Sequence, residues 1–407
     1  MQPQENARSG QIMSRRTFLK QLAAFAGTSA GAALLAACGA TGTSSATAVP
    51  AAATALPSAA PAATSAATSA ATAATGGTAA TAVATQSATP AIVAAANAFL
   101  ATLSASEKSS ALFEWSNTAQ RQRWSNLPEG LFSRAGLMWG NLADGPKNAW
   151  LALMQATLST EGYQRVLAEW AADDQLATGS SGGGPGGGQL QYGQQYYWVA
   201  IIGTPSETDP WQWQWGGHHV TVNATIAGAN LALTPSFIGV QPASYTDASG
   251  ATVRPLGDIE DEAFALINSL DATQQKAAIL GTTYVDLVLG PGQDGKTIQA
   301  EGLPAAQMTA DQQAALVKLI AHYTGLANDA VAAAHLAEVT STLDQTYLAW
   351  YGSTTQGEAA YFRVSGPAIV IEYSPQEMGG NAANHIHGIY RHPTNDYGAA
   401  YTGVEIA

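Results

Sequence analysis

A single cysteine, Cys38, is all the thiol chemistry the 407 residues contain. Everything after it is therefore without a disulfide, a thiol nucleophile or a thiolate ligand. Charge is scarce too: Asp, Glu, Lys and Arg make up 11% of the chain, with 16 basic residues against 29 acidic. Residues 1–90 hold four of the basic and one of the acidic residues, so the remainder carries a formal charge of −16. Such a surface repels phosphate, and no basic run offsets it, which argues against nucleic acid as a partner. Signature motifs are missing as well. There is no G-x-S-x-G elbow, so Ser365 lacks the context of a hydrolase nucleophile, and there is no HExxH zinc signature.

The N-terminus holds the most specific signal. Ser14-Arg-Arg-Thr-Phe-Leu-Lys20 fits the twin-arginine export pattern, and the apolar stretch from Leu22 to Ala37 is too short to span a bilayer comfortably. It ends in Leu35-Ala36-Ala37-Cys38, which resembles a bacterial lipobox whose cysteine is lipidated. Residues 1–38 thus read as a signal peptide, and the protein is expected to be exported and anchored to a membrane through lipid on Cys38. Residues 39–90 contain no charged residue and consist mainly of Ala, Thr, Ser, Gly and Pro. They lack the large apolar groups that offset ordering entropy and read as a disordered linker. A single folded domain is expected over 91–407.

Within that domain the periodicity alternates between helical and strand-like. Residues 91–178 read as helices, one opening after Ser106, one opening at Asp144 and Pro146, and a third from about Thr160 to Leu176 with Tyr163, Val166, Leu167 and Trp170 on one stripe. A glycine-rich loop at 179–188 follows, then strand-like runs at 196–202, 211–226 and 230–238. A second helical block is expected over 257–280 and 309–349, with Thr309 and Gln312 forming a capping box. Strands return at 361–364, 368–373 and 385–391. The fold expected is α+β, with helical blocks packed on a mostly antiparallel sheet.

Five of the seven histidines fall in two short segments. In Trp211-Gln-Trp-Gln-Trp-Gly-Gly-His-His219, alternation places Trp211, Trp213 and Trp215 on one face of a strand, and Gly216-Gly217 lets the chain bend before His218 and His219. In the second segment His385 and His387 share a face. Imidazoles at i and i+2 on a strand reach a common point, and with Glu372 on a neighbouring strand as carboxylate or catalytic group the set suits zinc, iron or copper. Clustered histidines also form hydrogen-bonded polar pockets, so a metal site and a polar pocket both remain open here. His322 and His335 sit on helices away from this set and are expected to be exposed.

A different class of reading makes the protein a surface-anchored binder whose Trp211, Trp213 and Trp215 stack on a sugar or other small molecule, with Asn223, Arg391, His392, Asn395 and Asp396 as polar contacts. The alternative for the tryptophans is a packed sheet face. Gly290-Pro-Gly-Gln-Asp-Gly-Lys-Thr297 satisfies a phosphate-loop pattern. The motif requires a helix starting at the lysine, yet Gly302 and Pro304 follow at once, so nucleotide binding is rejected.

Trp124-Ser-Asn-Leu-Pro-Glu-Gly130, Trp213-Gln-Trp-Gly-Gly-His-His219, Leu289-Gly-Pro-Gly-Gln-Asp-Gly295 and His385-Ile-His387 with Pro393-Thr-Asn-Asp-Tyr-Gly398 together resemble the domain of unknown function family 3500 over roughly residues 95 to 398. That resemblance brings no established activity, so the chemistry rests on the residues.

Overall fold

The computed structural model describes residues 87–179, 190–378 and 380–403. The segment expected to be an export signal, Cys38, the expected linker up to residue 86 and most of the glycine-rich loop lie outside the described residues. Among the described residues, no helix is long and apolar enough to cross a membrane.

Six longer helices frame the molecule: α1 (Thr89–Thr102), α2 (Asp144–Thr157), α3 (Thr160–Gly179), α4 (Gly257–Ser269), α5 (Ala310–Thr324) and α6 (Asp329–Ser341). Eight strands form the body of one sheet: β1 (Trp198–Ile202), β2 (Trp211–Gly216), β3 (Thr221–Ala227), β4 (Ser236–Val240), β5 (Tyr347–Gly352), β6 (Ala360–Ser365), β7 (Val370–Pro375) and β8 (Ile386–Arg391). Their order across the sheet is β1-β2-β3-β4-β8-β7-β6-β5, and every neighbouring pair is antiparallel. Among the described residues, parallel pairing occurs only at the edges, where Leu112–Phe113 lies on β1 and Ile279–Gly281 lies on β5. The class is α+β, as the periodicity predicts.

That order is a palindrome, because the two halves of the chain repeat one plan. Each half runs from a helix through a short capped helix (Ala105–Ala111, Ala272–Ala278) to a parallel edge strand. It continues through two more helices into four antiparallel strands. Leu137 and Met138 pair with Val199 and Trp198, just as Leu303 and Pro304 pair with Leu348 and Tyr347. Gly136 and Gly302 precede those pairs with φ of 114° and 99°, and a Cβ on either would strike the facing carbonyl, of Val199 or of Leu348. A residue without a side chain is required at both places. The β2–β3 turn closes with Gly217 N to Val220 O at 2.9 Å, and the β6–β7 turn closes with Gly366 N to Ile369 O at 2.8 Å.

The two sheet faces differ in chemistry. One carries Trp211, Trp213, Trp215, Val222, Ile371 and Tyr373 against the helices and forms the main core, in which the three tryptophans have zero exposure. The other carries Gln212, Gln214, Asn223, Arg363, Glu372, His387 and Arg391, all buried although polar. Loops close over this polar face, led by Trp124, Leu287 and Tyr397 packing on Phe237 and Ile389.

Several expected boundaries shift. α1 begins at Thr89, whose hydroxyl donates to Gly228 O at 2.8 Å, so the fold starts ahead of residue 91. Ser104, not Ser106, caps the next helix, in a capping box with Glu107. The run 257–280 breaks at Leu270, where Asp271 caps a new helix. The run 309–349 divides at Gly325 and gives way to strand β5 from Tyr347. There, pairing with β6 overrides the helical preference of Leu348 and Ala349.

Candidate metal centre

The sheet is asymmetric at one point, and the histidines gather there. β7 and β8 pair over six residue pairs, whereas the corresponding β3 and β4 pair only at Thr221 and Phe237. Beyond that pair the strands diverge, and Gly239 on β4 loses a ladder partner. Its N–H is met instead by Glu169 of α3 at 3.3 Å. A Cβ at Gly239 would lie 3.0 Å from both His219 O and Ile386 O, so a glycine lets the turn and the start of β8 close on each other.

Into this opening project three imidazoles. His219 comes from the tight β2–β3 turn, and His385 and His387 from the start of β8. Nε2 of His219 lies 3.1 Å from Nε2 of His385, which lies 3.0 Å from Nε2 of His387. The three could hold a metal ion, as could the overlapping group Asp173, His218 and His219. The sequence expectation that the two segments meet in space is met, across 166 positions.

Each ring is held from behind. His219 Nδ1 is 2.8 Å from Asp173 Oδ1, His385 Nδ1 is 2.7 Å from Met378 O, and His387 Nδ1 is 3.2 Å from Asn126 Nδ2. His218 stands outside the triad: its Nδ1 shares Asp173 Oδ1 at 3.1 Å, and its ring lies 3.6 Å from that of His219. The Gly-Gly bend anticipated from the sequence is what allows adjacent histidines to face one carboxylate. His219 and Asp173 are wholly buried, and His218 and His387 keep 8% exposure.

Burial sets the electrostatics. It pushes the His385 imidazole down to about 3, helped by the nearby His219, and pushes His218 down to about 4 in the same way. Burial alone would raise the Asp173 carboxyl. Attraction and hydrogen bonds from His218 and His219 outweigh it and hold the group below the usual carboxylate range. The pocket thus contains the Asp173 anion beside His218 and His385, both of which burial keeps neutral at pH 7.

The remaining candidates fall elsewhere. Glu372 stands apart from the histidine groups: its oxygens receive Val288 N at 2.8 Å, Leu289 N at 2.7 Å and Tyr361 OH at 2.6 Å, which pins the 285–289 loop to the sheet. Trp211, Trp213 and Trp215 are core, so they offer no face to a ligand. Trp213 donates to Thr157 and Trp215 packs edge-on to Trp170. Asn223 bridges Gln214 and Pro235. Arg391 is neutralised by Asp294 at 2.9 Å and Asp396 at 2.7 Å and clasps Leu289 O, so the phosphate-loop-like segment is a turn-rich loop without a helix. Asn395 and Asp396 accept from Ala400 N and His392 N and shape the C-terminal turn. His322 is mostly buried beside Glu262 at 3.0 Å, and His335 stacks on His392, so neither is the free surface histidine expected.

Asp173, Asn126 and the Met378 carbonyl were missed. Asp173 had a signal: it lies three and seven residues after Trp170 and Val166, which puts a carboxylate on the apolar stripe of α3.

A family described as "Protein of unknown function (DUF3500)" matches residues 85–399. No curated protein and no solved structure is detectably similar.

Proposed function

The chain belongs to this family, and on that premise we propose that it is a metal-dependent enzyme whose ion is bound by Nε2 of His219, His385 and His387. The observation that carries this reading is a conflict among lone pairs. Met378 O can only accept, so His385 Nδ1 carries its proton, and the Asp173 carboxylate fixes the His219 proton on Nδ1 in the same way. Both Nε2 atoms then present lone pairs to each other at 3.1 Å. That contact is repulsive unless a positive charge lies between them. A cation relieves that pair, and with the Asn126 amide turned to accept from His387 Nδ1 it serves all three nitrogens.

The donor set fits. Three neutral imidazoles suit zinc, copper or iron, and outer partners that fix the tautomers are the usual companions of metal-bound histidine. Such an ion would keep a position for water and lower its pKa, supplying a nucleophile at neutral pH. Asp173 would hold His219 in register and offset the ion's charge, and Asn126, with its amide turned so that the oxygen accepts from His387 Nδ1, would leave His387 Nε2 free for the ion. The buried tryptophans leave the sugar-stacking alternative without a surface.

The export motif and lipobox support a location outside the cytoplasm, anchored to a membrane through lipid on Cys38. The acidic balance supports a function without nucleic acid.

The test is elemental analysis of the full chain purified without added metal, beside His219→Ala and His385→Ala. About one equivalent of a transition metal in the parent, lost in both variants, is expected. A parent chain that neither retains a metal nor takes one up when supplied with zinc, iron and copper would sink the reading.

A further inference from the structure

A second cluster of donors stands on the other half of the molecule. On α6, His335 and Glu338 are three residues apart and so share a face, and His392, just past β8, reaches them. One donor atom from each lies within 4.8 Å of the others, and His392 Nε2 is 3.3 Å from Glu338 Oε1. The rings of His335 and His392 stack at 5.1 Å. Donors about 2.1 Å from a tetrahedral ion stand roughly 3.4 Å apart, so a modest movement of the half-exposed Glu338 side chain completes the set.

The tautomer of His335 is fixed. Its Nε2 lies 3.0 Å from Ala368 O and must donate, which leaves the lone pair on Nδ1, where Tyr390 OH donates at 2.6 Å. A neutral donor holds that lone pair where a cation could displace it. His335, Glu338, Tyr390 and His392 line a cavity of about 330 Å³. Position within the fold gives independent support. Ala368 lies in the β6–β7 turn, the counterpart of the β2–β3 turn that carries His219, and α6 is the counterpart of α3, which carries Asp173. The second cluster therefore occupies the repeat-related place to the buried centre, opened to solvent.

We propose that His335, Glu338 and His392 form a second site for a divalent transition metal, facing the cavity with coordination positions left for an exogenous ligand. Two imidazoles and one carboxylate suit iron, zinc or manganese. The site does not depend on the buried centre being occupied.

Metal-stripped full chain titrated with Co²⁺, followed by its visible absorption, tests this. Two equivalents are expected in the parent chain. Glu338→Gln, a change at an exposed side chain, and His335→Gln should each weaken one equivalent by at least about tenfold, and His385→Ala should leave that equivalent in place. If the buried centre binds nothing, one equivalent remains, sensitive to Glu338→Gln and His335→Gln but not to His385→Ala. A parent chain with no equivalent beyond the one lost in His385→Ala, or a second equivalent unchanged in Glu338→Gln, overturns the proposal.

Discussion

Replacing Asp173 by asparagine separates the metal reading from a merely hydrogen-bonded pocket. The substitution keeps the shape and an oxygen that can still accept from His219 Nδ1 at the 2.8 Å contact. What it removes is the negative charge, which is wholly buried and shared by two imidazoles. Outer-shell carboxylates of this kind affect metal affinity by roughly 10–100-fold, which corresponds to about 1.4–2.8 kcal/mol. The assay is competition with a chromophoric chelator at constant pH, with circular dichroism to confirm the fold. Glu169→Gln is the control. It replaces another wholly buried acidic side chain one turn earlier on α3, but one that contacts Gly239 N rather than a histidine. Its effect on metal affinity should stay within about twofold, close to the variation expected for sites without shared partners. An unchanged affinity in Asp173→Asn, or an equal loss in both variants, would refute the reasoning.

Glu169 also makes a pH prediction. Burial raises its carboxyl from 4.5 to about 8, and Arg165 at 3.4 Å offsets only part of that. A raised folded pKa favours the protonated form, so its contribution is present below pH 4.5 and is lost as pH rises toward 8, by roughly 5 kcal/mol at most. Chemical denaturation from pH 5 to 8 should show this fall in the parent and a flatter profile in Glu169→Gln; parallel profiles would count against it. Trp213→Ala should cost about 3–5 kcal/mol, since the indole is wholly buried; a loss under about 1 kcal/mol, read by the same denaturation, would mean that the tryptophan row is not core. Cys38→Ala should release the protein from membranes on cell fractionation, and equal retention of both forms would remove the lipid anchor.

Much of this molecule is written locally. Strand alternation assigned Trp211, Trp213 and Trp215 to one face and the glutamines to the other, because side chains on a strand can only alternate. The capping box of Thr309 and Gln312 and the stripe of Leu316, Leu319, Ile320 and Tyr323 fixed α5. The i and i+2 spacing of His385 and His387 gave two of the three imidazoles that meet. The failed context of the phosphate-loop pattern was also legible, since Gly302 and Pro304 leave no room for its helix. The repeat was there to be read, in Gly136-Leu137 against Gly302-Leu303 and in the two capped helices, but the sequences have diverged and the repeat shows mainly in matched hydrogen bonds and register.

Only the tertiary structure decided what the buried polar groups do. Glu372 and His387 lie on one face of adjacent strands, and nothing local says that loop amides saturate the first while the second meets His385 and Asn126, the latter 261 positions away. Asp173 reads as helix, and its role depends on where α3 crosses the gap between β3 and β4. That gap comes from the halves differing at one strand pair, a consequence of how two sheets' worth of strands join at β4 and β8. Local preference acts over a few residues, so it wrote the elements. The site is a contact among elements far apart in the chain, and packing alone brought them together.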